Sequence, residues 1–237
     1  MIKNQSNSLS GQEIRQNIQR IRENIRAAAL ECGRDPQTIT LMAVTKTVPP
    51  QAVNEAISCG VTLLGENRAQ ELLEKYDSYS LKREHIHFIG HLQTNKVRQI
   101  IDKVSIVESV DSLSLAAELD KHARRQQTML DILLEVNIGG EATKSGIPPE
   151  RCQEVVKRLE DFPNLRLRGL MTIPPREKNT VFFAKMQQLF VDITDKNRDN
   201  RAINILSMGM SSDYEDAVRY GATIVRIGTA MFGRRNY

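Results

Sequence analysis

The stretch Ala43-Val44-Thr45-Lys46 ends an apolar run in a lysine. A lysine so placed is partly desolvated, which disfavours the ammonium form and favours a neutral nucleophilic amine able to form a Schiff base with a carbonyl. Position alone supports equally a lysine that snorkels at a strand end and binds an anion or a carboxylate. A second stretch, Ser207-Met208-Gly209-Met210-Ser211-Ser212-Asp213-Tyr214-Glu215, ends another apolar run in a small-residue turn. Ser212-x-x-Glu215 reads as a capping box, so a helix is expected to start there. Free backbone N–H groups, the positive end of the helix dipole and the Ser211 and Ser212 hydroxyls make this turn a candidate anion site, one that suits phosphate. Ordinary helix capping explains the same residues without a ligand.

Further along, Arg226-Ile227-Gly228-Thr229 closes a third run. Gly228 allows close backbone approach to a ligand, and Thr229 adds a hydroxyl. Arg226 and Gly228 are two residues apart, so strand alternation puts both on one face, pointing inward. An inward arginine needs an acceptor: either an uncharged ring nitrogen of a ligand or a buried carboxylate such as Glu66 or Glu135, and spacing does not separate these. Asn67, His91 and Asn137 also follow apolar runs and could line the same mouth; for His91, capping or packing beside the next turn is at least as good a reading as catalysis.

These residues must be positioned by an alternation of apolar runs and amphipathic segments that continues to the C-terminus, the pattern of a parallel sheet covered by helices. Eight strands are expected: Ile39 to Lys46, Val61 to Asn67, Ile86 to Gly90, Val104 to Val110, Leu130 to Asn137, Leu165 to Met171, Ala202 to Met208 and Ala222 to Gly228. Seven helical segments lie between or beside them: roughly Pro50 to Cys59, Ala69 to Tyr76, Thr94 to Asp102, Ser112 to Arg125, Pro149 to Phe162, Glu177 to Arg198 and Ser212 to Tyr220. The eighth is Ser10 to Cys32, where Ile14, Ile18, Ile21, Ile25 and Ala28 recur at helical spacing. Eight strands with a full set of helices favour a closed (β/α)8 TIM barrel over an open sheet, with the chemistry at the C-terminal strand ends and phosphate after strands seven and eight.

The 237 residues fit one such barrel, residues 1–237, with 1–9 as a flexible extension. With 40% hydrophobic and 26% charged residues the composition is that of an ordinary soluble domain. There is no apolar run of spanning length and no signal-peptide core at the start, so no membrane association and a cytoplasmic location are expected. Cys32, Cys59 and Cys152 are dispersed and odd in number, which argues against a disulfide framework or a zinc site. The net charge of +4 raises the question of nucleic acid. However, Arg20, Arg22 and Arg26 are interleaved with Glu23 as on a solvated helix face, so no nucleic-acid partner is expected.

Together, AVTKTVP around Lys46, GENRAQEL from Gly65 to Leu72, HFIGHLQTNK from His87 to Lys96, GLMTIPP from Gly169 to Pro175, and SMGMSSDYEDA with VRIGTAMFG strongly resemble the pyridoxal phosphate homeostasis protein family. The motifs run in order across almost the whole chain. The resemblance implies a barrel of the alanine racemase N-terminal-domain type, with pyridoxal 5′-phosphate carried as a Schiff base on Lys46. It implies further that Ser211, Ser212, Gly228 and Thr229 hold the phosphate, that Arg226 faces the pyridine nitrogen, and that Asn67 and Met208 border the ring. A guanidinium there keeps the ring nitrogen unprotonated and the ring a weaker electron sink. Related racemases take a second base from a C-terminal β domain, which is not expected here.

The function expected from the resemblance is intracellular vitamin B6 homeostasis and amino-acid balance by a non-catalytic, monomeric cofactor carrier, with cofactor-dependent apoenzymes as partners. Two enzymatic alternatives stand beside it. One is a cofactor-dependent amino-acid racemase or lyase with His91 or a tyrosine as second base; the other is a cofactor-free barrel aldolase in which Lys46 attacks a sugar phosphate.

Overall fold

The computed structural model describes residues 9–175, 177, 179–196 and 203–234. Its strands are β1 (Thr40–Val44), β2 (Leu63–Glu66), β3 (Ile86–Phe88), β4 (Ile106–Val110), β5 (Leu130–Val136), β6 (Leu165–Thr172), β7 (Ile205–Ser207) and β8 (Ile224–Ile227). All pair in parallel and in chain order, and β8 closes on β1, giving a (β/α)8 barrel. Met42 sits opposite Leu63 on one side and Arg226 on the other.

The helices are α1 (Gly11–Glu31), α2 (Pro50–Ser58), α3 (Ala69–Lys75), α4 (Val97–Ile100), α5 (Leu113–Arg125), α6 (Cys152–Arg158), α7 (Asn179–Lys196), α8 (Tyr214–Arg219) and α9 (Thr229–Phe232). The apolar stripe foreseen on α1 is buried in full: Ile14, Ile18, Ile21, Ile25 and Ala28 pack into the layer between helices and barrel. Each such isoleucine contributes roughly 1.5–3 kcal/mol on burial. Ser10 and Glu13 form a reciprocal capping box that starts α1. The helix packs beside α2, α8 and α9, and so completes the outer ring next to the last strand.

Seven of the eight strands are shorter than the apolar runs that announce them. The run Ile39 to Lys46 is strand only over Thr40–Val44, and Ala222 to Gly228 only over Ile224–Ile227. Residues at the ends of these runs leave the ladder to build the loops at either end of the barrel. Helical segments shorten likewise: Thr94 to Asp102 becomes a 3₁₀ turn over Thr94–Lys96 followed by α4 alone. Three expectations fall partly outside the described residues: the flexible extension 1–9, of which only Leu9 is described and packs against the core; the start of strand seven at Ala202; and the end of the preceding helix at Arg198.

Alternation divides each strand between the helix layer and the barrel interior. Inside the barrel, Met42, Leu63, Ile89 and Ile224 form one apolar cluster, and Ile106, Leu133 and Met171 another. Two residues further along their strands the interior becomes polar. Ile106 is followed by Glu108, Ile205 by Ser207 and Ile224 by Arg226.

Candidate cofactor site

At the C-terminal strand ends a cavity of about 750 Å³ is lined by six of the residues expected there: Asn67, Ser211, Ser212, Arg226, Gly228 and Thr229. Its size is that of a small-molecule site. One wall is made by the turn after β7 and the start of α9. Gly209 adopts φ +91°, a conformation that glycine enters without a Cβ penalty, and the turn swings Ser211 towards β8. There the Ser211 Oγ accepts from two backbone amides, those of Gly228 (3.3 Å) and Ala230 (3.1 Å). Two N–H groups thus fix the Ser211 oxygen at the edge of the cavity and leave its O–H to donate to a ligand.

The capping box expected at Ser212 and Glu215 does not form. α8 begins at Tyr214 with Asp213 at the N-cap, and the Asp213 carboxylate turns back to accept from the Met210 amide at 2.7 Å. Glu215 is drawn instead to Asn24 of α1, whose side-chain amide donates to it at 2.9 Å. The Ser212 hydroxyl therefore has no capping duty and stands exposed on the cavity wall.

The floor is set by Arg226, which is 4% exposed. Neither carboxylate suggested as its partner hydrogen-bonds to it. Its Nη2 donates to the Thr172 carbonyl (2.8 Å) and its Nη1 to Ser207 Oγ (2.8 Å), and Ser207 in turn donates to Glu108 Oε2 (2.6 Å). Glu66 is excluded by alternation. Gly65 faces Met42 and Ile89 in the interior, so Glu66 points into the helix layer, where it accepts from Thr45 Oγ (2.6 Å) and from the Tyr79 hydroxyl. The other Glu108 oxygen lies 2.6 Å from His87 Nδ1.

Burial acts to raise the Glu108 carboxyl but is outweighed, first by the hydrogen bond and charge of His87, then by Arg226 and Ser207, so it lies below the usual range. Burial depresses Arg226, opposed by the charges of Glu108, Glu135 and Asp213. Glu135 is pushed up to about 7 by burial and by the charge of Asp111, against the pull of Arg226 and His91.

Lys46 follows two residues after Val44, whose side chain lines the cavity, and is itself half-buried. It is not among the residues that form the cavity wall. Asn67, at the end of β2, is held by a close approach: a Cβ on Gly90 would lie 2.0 Å from the Asn67 carbonyl oxygen. The side-chain Oδ1 of Asn67 is buried without a hydrogen-bond partner among the described residues, an unusual state for a polar atom in a folded protein. Met208 is fully buried in the layer between barrel and helices, on the side of its strand away from the cavity lining.

His91 and Asn137 are not brought to this cavity. His91 lies 3.3 Å from Asp111 and 3.4 Å from Ser145, and the Asn137 amide donates within its own loop to the carbonyls of Glu141 and Lys144. Sequence reasoning missed Asn179, Asp213 and Arg234, which do line it. Asp213 was visible only as part of a helix start. Asn179 and Arg234 lie beyond any strand end, and no local signal marks them.

The alanine racemase N-terminal domain family model matches residues 16–236. A pyridoxal phosphate homeostasis protein of Aquifex aeolicus strain VF5 is 42% identical over 224 residues, covering 93% of this chain and 97% of that protein. Among solved structures, PipY of Synechococcus elongatus PCC7942 with PLP bound superposes with a TM-score of 0.78 at 30% identity, covering 93% of this chain and all of the other. An alanine racemase of Clostridium difficile 630, at 16% identity and TM-score 0.72, shares the fold over 95% of this chain and 58% of its own. The chain thus belongs to the pyridoxal phosphate homeostasis protein family, built on the alanine racemase N-terminal barrel.

Proposed function

We propose that the protein binds pyridoxal 5′-phosphate at the C-terminal mouth of its barrel and serves in the homeostasis of that cofactor. The observation that carries this reading is the single cavity lined by Asn67, Ser211, Ser212, Arg226, Gly228 and Thr229. Its groups fit a compact ring bearing an anion: the two serine hydroxyls for the phosphate, with Ser211 held by the Gly228 and Ala230 amides, the unpartnered Asn67 Oδ1 for a donor on the ring, and Arg226 for the ring nitrogen. PipY, over 90% of this chain's length, has been solved with PLP bound, which supports the same assignment here.

The bound cofactor supplies an aldehyde, which an amine can hold covalently, and a ring that withdraws electrons. In this chain the Lys46 amine takes the covalent role, at the end of β1 beside Val44. Arg226 cannot give up its proton at physiological pH, and its anchoring to Thr172 and to the Ser207–Glu108 pair fixes the guanidinium. A ring facing it stays unprotonated and is a poor electron sink, which favours storage over turnover. His91, weighed as a second base, is engaged with Asp111 and Ser145 outside the cavity lining, which also favours a carrier over a racemase. Limiting free aldehyde and handing the cofactor to dependent apoenzymes follow from such a carrier.

The test is a titration of purified protein with the cofactor, followed by near-visible absorbance, with single amino acids assayed for racemisation in parallel. Saturable yellow binding without amino-acid turnover is expected. Turnover at the rate of dedicated enzymes would replace the carrier by a racemase, and a colourless protein would return the aldolase reading.

A further inference from the structure

Immediately after Lys46, Thr47 has φ +60°, a left-handed conformation that a β-branched residue strongly disfavours. Such a conformation persists where surrounding groups over-determine it. Here they come from α3. The Glu71 carboxylate accepts from the Thr47 backbone amide and also pairs with the Lys75 ammonium. Lys75 in turn donates to the Thr45 carbonyl at 3.0 Å. The two side chains are one helical turn apart and only 14% and 12% exposed, so the pair is shielded from solvent. One ion pair on α3 thus grips the backbone on both sides of Lys46. The Thr45 side chain is held separately, by Glu66.

We propose that Glu71, acting with Lys75, is the positioning residue of Lys46: it holds the lysine's flanking peptides in the conformation from which the amine takes the cofactor. The inference rests on the reading of Lys46 as the cofactor lysine. It assigns a role to a carboxylate that does not line the cavity and that grips the backbone beside the lysine. Left without its grip, the Thr47 turn relaxes towards ordinary backbone angles, and the position of Lys46 spreads over several conformations.

The experiment compares the unsubstituted protein with Glu71→Ala and with Glu71→Ala combined with Thr47→Gly. Hydrogen exchange of the residue-47 amide is measured without cofactor, and pyridoxal phosphate affinity is measured alongside. Glu71→Ala is expected to speed exchange at that amide at least tenfold and to weaken binding about tenfold. Adding Thr47→Gly restores affinity to within about threefold, because glycine enters the left-handed region without a steric cost. If Glu71→Ala does not fold, Glu71→Gln carries the same readouts with smaller changes. Unchanged exchange, faster exchange with unchanged affinity, or lost affinity that glycine does not rescue would each overturn the proposal. An unsubstituted protein with no cofactor on Lys46 would overturn the reading of that lysine and the inference with it; this failure is distinguishable, since the exchange measurement needs no cofactor.

Discussion

The two halves of the barrel mouth carry similar residue types and use them in opposite ways. On the side of β7, β8, β1 and β2, the Asn67 Oδ1 is left without a donor among the described residues and the Ser212 hydroxyl stands exposed on the wall, so the groups face a cavity with capacity to spare. On the side of β3, β4 and β5, His91, Asp111 and Ser145 lie against one another, and Asn137 closes its own loop. Beneath both runs the chain of hydrogen bonds from Arg226 through Ser207 to Glu108 and His87. A binding site is recognised here by what its polar groups leave unsatisfied, because the same asparagines and histidines, once paired internally, do no more than shape a loop.

The shared floor offers the largest effect. Glu108→Ala leaves Arg226 and His87 buried without their carboxylate, and removing one partner of a buried charge network costs about 3–5 kcal/mol. Urea unfolding is expected to show that loss, whereas a change below about 1 kcal/mol would mean the two halves are not coupled through the floor.

Glu135 gives a pH-dependent contrast on the β5 side. Its folded pKa of about 7 lies above that of an ordinary glutamate, so the folded state binds the proton more tightly. Stability from this group is complete below the unfolded value near 4.5 and is lost as pH rises through 7, roughly 3 kcal/mol in all. Glu135→Gln should flatten unfolding curves between pH 5 and about 8, and an unaltered profile would remove this carboxyl from the account.

On the cavity side, Ser211→Ala takes the acceptor from two amides and a donor from the phosphate, an effect of about 1 kcal/mol or somewhat more in cofactor affinity. Inorganic phosphate competition should weaken in parallel. The smallest effect belongs to His91→Ala, for which cofactor affinity is expected to stay within about twofold; a tenfold loss by the same titration would erase the distinction between the halves.

Much of this was legible because barrel strands are buried on both faces and read as apolar runs. Lys46, Arg226, Gly228 and the two serines could be placed at strand ends from order alone, and the inward face of Arg226 followed from alternation. The floor was not legible. His87, Glu108 and Ser207 sit inside apolar runs, and linking them requires knowing which strands adjoin and in what register. Glu66 misled as a partner for Arg226 because the register that turns Gly65 inward, against Met42 and Ile89, becomes visible only when the barrel is closed. The Ser212 capping box failed for a similar reason: Asn24 on α1, far away in sequence, competes for Glu215. Met208 has the strand-end position expected of it, but its parity sends the side chain to the helix layer.

The central claim is that the cofactor is held on Lys46, and borohydride reduction of the cofactor-loaded protein followed by peptide mass spectrometry tests it most directly. The account predicts one phosphopyridoxyl adduct, on the peptide containing Lys46 and absent from Lys46→Ala; an adduct on another lysine, or one that survives the substitution, would contradict it.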